Sequence, residues 1–400
     1  VTRIDDPAYS WPLLTLDDDA LEHNLATVAA AVAAAGAEHA PHVKTAMSRD
    51  LFARQLAAGA WGGTVATPAQ LRTLVRWGLP RERDGVRALL ANELVDPREL
   101  AWLREVLDAG AAAEVWLYVD SARGVELLAR AFAGASAATT ARLGVLVELG
   151  VPGGRTGVRG VEAAVALGRA VHDAGLRLVG VAGYEGPVAA GTSEAELAAV
   201  GAWCAGLREA AAGVAGLVEG PVVLSAGGSA FADVVLRELV APAGAATRVV
   251  LRSGAYVTHD HGHYARTDPW TRLGAAPLRP AITVWGQVLS VPEPGLVVCG
   301  VGRRDVSYDI DLPTPLAVRP VGEDGRLGTP RELAGARVTA LNDQHAYLAV
   351  TEDQGIEPGD VVAFGVSHPC TTLDRWRTAV VTRGDAVVAH YPLDLREDLA

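Results

Sequence analysis

Two neighbouring runs, Glu114-Val-Trp-Leu-Tyr-Val-Asp120 and Leu143-Gly-Val-Leu-Val-Glu148, decide the fold. Each is a short, nearly continuous apolar segment closed by an acidic residue, and an amphipathic stretch lies between them. A strand that is apolar on both faces is buried on both faces, which is the habit of parallel sheets covered by helices. The same unit recurs at His39–Lys44, Gly62–Thr67, Val86–Asn92, Leu178–Gly183, Val222–Ser225 and Val249–Arg252. Eight strand–helix units, with helices such as Ser193–Ala212, fit a (β/α)₈ barrel; doubly wound sheets usually have fewer strands. The first helix is expected from about Asp18 to Ala35, capped by Asp17, with Leu21, Leu25, Val28 and Val32 on one face.

Beyond about Pro269 the pattern changes. Segments of period two, broken by Gly, Pro and Asp, appear at Ala281–Ser290, Gly295–Gly302, Ala336–Leu341, Ala346–Thr351, Asp360–Phe364 and Arg377–Val381. They predict an antiparallel β domain, joined by the strand Leu13–Leu16 that precedes the first helix. The expected division is therefore a barrel over 17–268 and a β domain built from 1–16 and 269–400.

Half of the 400 residues are apolar and a fifth are charged, the composition of a folded globular chain. The net charge of −12 and the lack of a basic run argue against a nucleic-acid partner. No run reaches the length of a membrane span, and the opening Val1-Thr-Arg-Ile-Asp-Asp6 lacks a basic region followed by an apolar one, so neither secretion nor membrane insertion is expected. Cys204, Cys299 and Cys370 are far apart, which predicts free thiols in a reducing, cytoplasmic setting.

One count is more informative than these. Of the 35 basic residues a single one, Lys44, is lysine. Arginine serves as well on a surface, but it cannot give up its proton or form an imine, whereas a desolvated lysine amine can do both. Lys44 is thus a candidate for chemistry, against the plainer reading of a survivor on a solvated face. It falls at the end of the first barrel strand, and catalytic residues of such barrels sit at the C-terminal strand ends.

The segment Pro41-His-Val-Lys-Thr45, followed by Gln55-Leu-Ala-Ala-Gly-Ala60 and Thr64-Val-Ala-Thr67, resembles the fold-type III pyridoxal-phosphate family of D-serine dehydratases and D-threonine aldolases. The barrel of that family is of the alanine racemase N-terminal type. The resemblance implies that Lys44 carries pyridoxal 5′-phosphate as a Schiff base. It continues through Val147-Glu-Leu-Gly150 and Gly153-Gly-Arg-Thr-Gly157, which implies that Arg155 approaches the cofactor ring. Gly183-Tyr-Glu-Gly186 resembles the next strand end, which implies that Tyr184 lies beside the pyridine. The turns Ser225-Ala-Gly-Gly-Ser229 and Arg252-Ser-Gly-Ala255 follow the seventh and eighth strands, where barrels commonly hold a phosphate, so Gly227, Gly228, Ser229, Gly254 and Ala255 are candidate phosphate ligands.

Val366-Ser-His-Pro-Cys-Thr-Thr372 is the second constellation. In an extended segment His368 and Cys370 point the same way, and an imidazole with a thiolate favours zinc; the plainer reading is a buried thiol beside an ordinary histidine. The string resembles the zinc-binding segment of the dehydratases, while the aldolase branch has His-x-Asp there. Zinc on the β-hydroxyl of a substrate stabilises it either as a leaving group or as an alkoxide. The first fate gives a 2-oxo acid and ammonia from a D-configured β-hydroxy amino acid such as D-serine or D-threonine, and it is the expected one. The second is retro-aldol cleavage to glycine and an aldehyde. Amino-acid racemization is a third reading, and a cofactor-handling protein without catalysis a fourth, which the long β segment argues against.

Several features stay open at this level. His259, His261 and His263 alternate just past the eighth strand and suit a structural or substrate-lining role better than a metal. Asn342–His345 looks like a family segment facing the site, or a plain turn. Gly302–Asp309 suits a subunit interface, and the resemblance implies a homodimer. Ala46 replaces a polar residue of the family, which puts the preference for D-serine in doubt.

Overall fold

The computed structural model describes residues 2–79, 85–240, 246–350 and 354–395. Two sheets organise them. The parallel sheet runs through β2 (Glu38–His39), β3 (Gly63–Val65), β4 (Val86–Glu93), β5 (Ala112–Val119), β6 (Leu143–Gly150), β8 (Leu178–Gly183), β9 (Val222–Ala226) and β10 (Thr247–Leu251), with the short β7 (Val158–Arg159) beside β6. Its spatial order is β2-β10-β9-β8-β6-β5-β4-β3. The two ends meet lightly, through a bridge between His42 and Thr64 and the bond from Trp61 N to His39 O at 2.8 Å.

The alternation of the strands fills the barrel. Leu89, Trp116, Tyr118, Leu146, Val179, Ala182, Val223 and Val250 form one buried interior cluster. Trp116 fits because its neighbour on β6 is Gly144, where a Cβ would lie 2.3 Å from the indole. The helices seal the outside with sequence-encoded caps. Asp17 accepts the Ala20 N–H at 2.7 Å and starts the helix Asp18–Ala34, whose Leu21, Leu25, Val28 and Val32 are buried. Ser193 and Glu196 form a reciprocal capping box at the start of Glu194–Val214.

The second sheet holds β1 (Leu13–Asp17), β11 (Ile282–Glu293), β12 (Leu296–Cys299), β13 (Thr314–Arg319), β14 (Arg331–Glu332), β15 (Arg337–Leu341), β16 (Ala346–Ala349), β17 (Val361–Gly365), β18 (Thr378–Arg383) and β19 (Ala386–Pro392). The N-terminal strand β1 inserts between β11, antiparallel, and β18, the sheet's one parallel pairing among the described residues. The periodic segments read from the sequence mark six of these strands; β13, β14 and β19 were not legible. Thr351, the end of one expected segment, lies outside the described residues.

Two local conformations differ from the sequence reading. The first barrel strand stops at His39, and Lys44 lies in the 3₁₀ turn Val43–Thr45 rather than at a strand end. Pro41 has no N–H to continue a ladder, which ends the strand early. His368 is extended, but Cys370 belongs to the short helix Pro369–Leu373, opened by Pro369 at its first position.

Candidate active site

The C-terminal ends of the barrel strands surround a cavity of about 380 Å³. Of the residues singled out from the sequence, Lys44, Arg155, Tyr184, Gly227, Gly228, Ser229, Gly254, Ala255 and Cys370 line it; His368 does not. Cys370 comes from the β-domain segment and reaches the barrel mouth, its sulfur 3.5 Å from Thr45 Oγ1.

Burial holds the Lys44 amine below its ordinary value; the nearby Cys370 opposes this, and Arg155 and Arg252 reinforce it. An amine with a lowered pKa is neutral in a larger fraction near neutral pH, so more of it can attack a carbonyl or accept a carbon-bound proton. Arg155 stands with its guanidinium 4.8 Å from the centre of the Tyr184 ring. Its loop is fastened from below: Arg159 donates to the carbonyls of Gly154 at 2.8 Å and Thr156 at 2.9 Å, and the Gly157 N–H reaches Asp120 at 3.3 Å. Burial, with Glu185 adjacent, raises the Tyr184 phenol, so it stays neutral.

Arg252, His42 and Tyr264 are among the wall residues not singled out from the sequence. Arg252, only 5% exposed, donates to Ser225 Oγ at 2.8 Å and Gly183 O at 2.6 Å, tying three strand ends together. Alternation from Val250 aims it inward, a signal that was available. His42, two residues before Lys44, is kept neutral by burial, and its Nδ1 has no partner. Tyr264, on the helix His263–Thr267, carried no signal.

Cys370 and His368 are donor types that suit a divalent metal. Burial alone would raise the thiol, but His368, Thr45 and Lys44 outweigh it and hold the sulfur below its ordinary value. Hydrogen bonding with Cys370, and then with Asp309, holds the His368 imidazole above its own. Asp309 Oδ2 takes His368 Nδ1 at 2.5 Å and its Oδ1 takes the Thr371 hydroxyl at 2.9 Å, so Nε2 is the nitrogen available to a ligand. A carboxylate–imidazole pair of this kind orients many metal-bound histidines. The set is one protein donor short of the usual catalytic zinc site, and no group of three or more such donors occurs among the described residues.

The remaining histidines lie elsewhere. His259 is buried and His261 half-buried, and His263 packs edge-on against Tyr264 with ring centres 5.0 Å apart. Asn342–His345 is an exposed turn between β15 and β16, closed by Asn342 N–H to His345 O at 2.8 Å, and outside the cavity.

A domain model described as alanine racemase, N-terminal domain, matches residues 16–233, and one described as putative serine dehydratase domain matches 281–382. The chain belongs to the fold-type III pyridoxal-phosphate family that includes the D-serine dehydratases and D-threonine aldolases. It is 29% identical over 177 residues to the D-threo-3-hydroxyaspartate dehydratase of Delftia sp. (strain HT23), covering 44% of this chain and 43% of that protein, less than half its length. Against the 3-hydroxy-D-aspartate aldolase of Paracoccus denitrificans (strain Pd 1222) it is 26% identical over 313 residues, 78% of this chain and 76% of the other. The D-threonine aldolase structure from Filomicrobium marinum superposes with a TM-score of 0.78 at 25% identity, covering 96% of this chain and 95% of that one.

Proposed function

We propose that this protein is a pyridoxal-phosphate-dependent lyase that dehydrates and deaminates a D-configured β-hydroxy amino acid, giving a 2-oxo acid and ammonia. The observation that carries this is the meeting of the chain's single lysine with Cys370 in one cavity, each held below its ordinary pKa by its surroundings. When bound, the cofactor supplies an electron sink for the negative charge that develops at the substrate α-carbon.

The chain's own groups have separable tasks in this reading. Lys44 would attach the cofactor and would move the α-proton. Arg155 and Tyr184, in contact with each other on the cavity wall, would hold the cofactor ring, and the neutral phenol would add no charge beside it. His368 and Cys370 would hold a divalent metal, zinc by donor type, which would stabilise charge on the β-oxygen of the substrate. No helix among the described residues is long and apolar enough to cross a membrane. A second copy of the chain is the proposed partner, supported by exposed Tyr308, Ile310 and Leu312 beside the His368–Asp309 pair.

The second reading is aldol cleavage, supported by the aldolases among the similar proteins. Incubation of the cofactor- and zinc-loaded protein with D-threonine separates the two. The expected products are 2-oxobutyrate and ammonia; glycine and acetaldehyde would overturn dehydration in favour of the aldolase. With neither pair formed from D-threonine, D-serine or 3-hydroxy-D-aspartate, the lyase reading fails.

A further inference from the structure

Glu185 follows Tyr184 at the end of β8 and is fully buried, with 0% exposure. Its carboxylate spans the glycine turn after β9: Oε2 accepts the Gly227 N–H at 3.1 Å and Oε1 the Gly228 N–H at 2.5 Å. The two glycines belong to the cavity wall, whereas Glu185 does not. Their N–H groups are therefore committed to a side chain behind the wall.

The turn has little freedom to release them. Gly227 has φ +99°, and a Cβ there would lie 2.1 Å from Leu251 Cδ1. The Ser253 hydroxyl donates to Gly228 O at 3.0 Å, and Ser229 Oγ accepts the Ala255 N–H at 3.2 Å, joining this turn to the one after β10. Meanwhile the backbone N–H groups of Ser229 and Gly254, both in the wall, have no protein acceptor among the described residues. An anion placed on the glycine pair would have to expel a buried carboxylate and leave it unpaired, which is unfavourable.

We infer that Glu185 is a positioning residue for the cofactor phosphate: it fixes the glycine turn so that Ser229 and Gly254, and not the Gly227–Gly228 N–H pair, receive the anion. This rests on the pyridoxal-phosphate reading above. It predicts a phosphate-specific defect, which a general loss of packing would not produce.

The test titrates cofactor-free protein with pyridoxal phosphate and, separately, with pyridoxal, which keeps the aldehyde and lacks the phosphate, following the visible absorbance of the lysine-linked forms. In Glu185→Gln the added amide donor faces a backbone N–H, so affinity for pyridoxal phosphate should fall about 10-fold or more while that for pyridoxal stays within about twofold. Glu185→Asp, which keeps the carboxylate on a side chain one methylene shorter and so loosens both contacts to the turn, should show the same selective loss and serves if the first variant does not fold. Tighter binding of pyridoxal phosphate by Glu185→Gln would mean that the carboxylate competes with phosphate for the glycines and would overturn the inference. So would an equal loss for both ligands, or no change for either. Failure of the unmodified protein to bind either ligand would instead defeat the cofactor reading itself.

Discussion

The sulfur of Cys370 and the hydroxyl oxygen of Thr45 are 3.5 Å apart although 325 positions separate them in the chain. Thr45 follows the single lysine in the barrel, and Cys370 lies in the first turn of a helix in the β domain. This contact brings the two halves of the candidate chemistry into one cavity, and it lets each half be probed through the other.

Lys44→Arg keeps the charge and removes the amine chemistry. The variant should fold, give no visible absorbance band with pyridoxal phosphate, and gain no cofactor mass after borohydride reduction. A retained, reducible adduct would place the attachment at another group.

Asp309→Asn keeps the shape of the His368 partner but weakens the bond that sets its tautomer. The expected outcome is a drop of about 10–100-fold in zinc affinity, measured by competition with a chromophoric chelator, with the lysine-linked cofactor band unchanged. Equal zinc binding by both proteins would remove His368 as a ligand.

Glu93 supplies a pH prediction. Burial, then the charges of Glu148 and Asp120, push its carboxyl up to about 8, and Glu93 Oε1, Glu148 Oε2 and the Tyr118 hydroxyl are buried without partners. The folded protein therefore keeps a proton that the unfolded chain releases above its ordinary carboxyl range. This contribution to stability is complete in acid and is lost as pH rises from that range through about 8. Melting temperatures between pH 5 and 8 should fall more for the parent than for Glu93→Gln; parallel curves would show that Glu93 ionises normally.

Gly227→Ala forces a side chain into a left-handed backbone and against Leu251. Urea unfolding should show a loss of about 1–3 kcal/mol, the range for overpacking or backbone strain. An unchanged midpoint would mean that the turn relaxes freely.

Much of the architecture was legible because periodicity is a local property. Runs such as Glu114–Asp120 announced buried parallel strands, Asp17 announced its helix, and the change to period two announced the second sheet. β13, with Pro315 inside it, and β14, of two residues, carry too little pattern to be read. Pro41 and Pro369 show the limit at finer scale, since each changed the local conformation while leaving the residue of interest near its expected place.

By itself the sequence determined the barrel, the β domain and the one side chain able to form an imine. Those follow from residue chemistry and from repeats a few positions long. Only the tertiary structure decided that Cys370 reaches the barrel mouth, that Arg252 ties three strand ends, and that Glu185 holds the glycine amides that the turn offers. Hydrogen bonds between loops depend on where long-range packing sets each strand end, and no spacing along the chain encodes that distance.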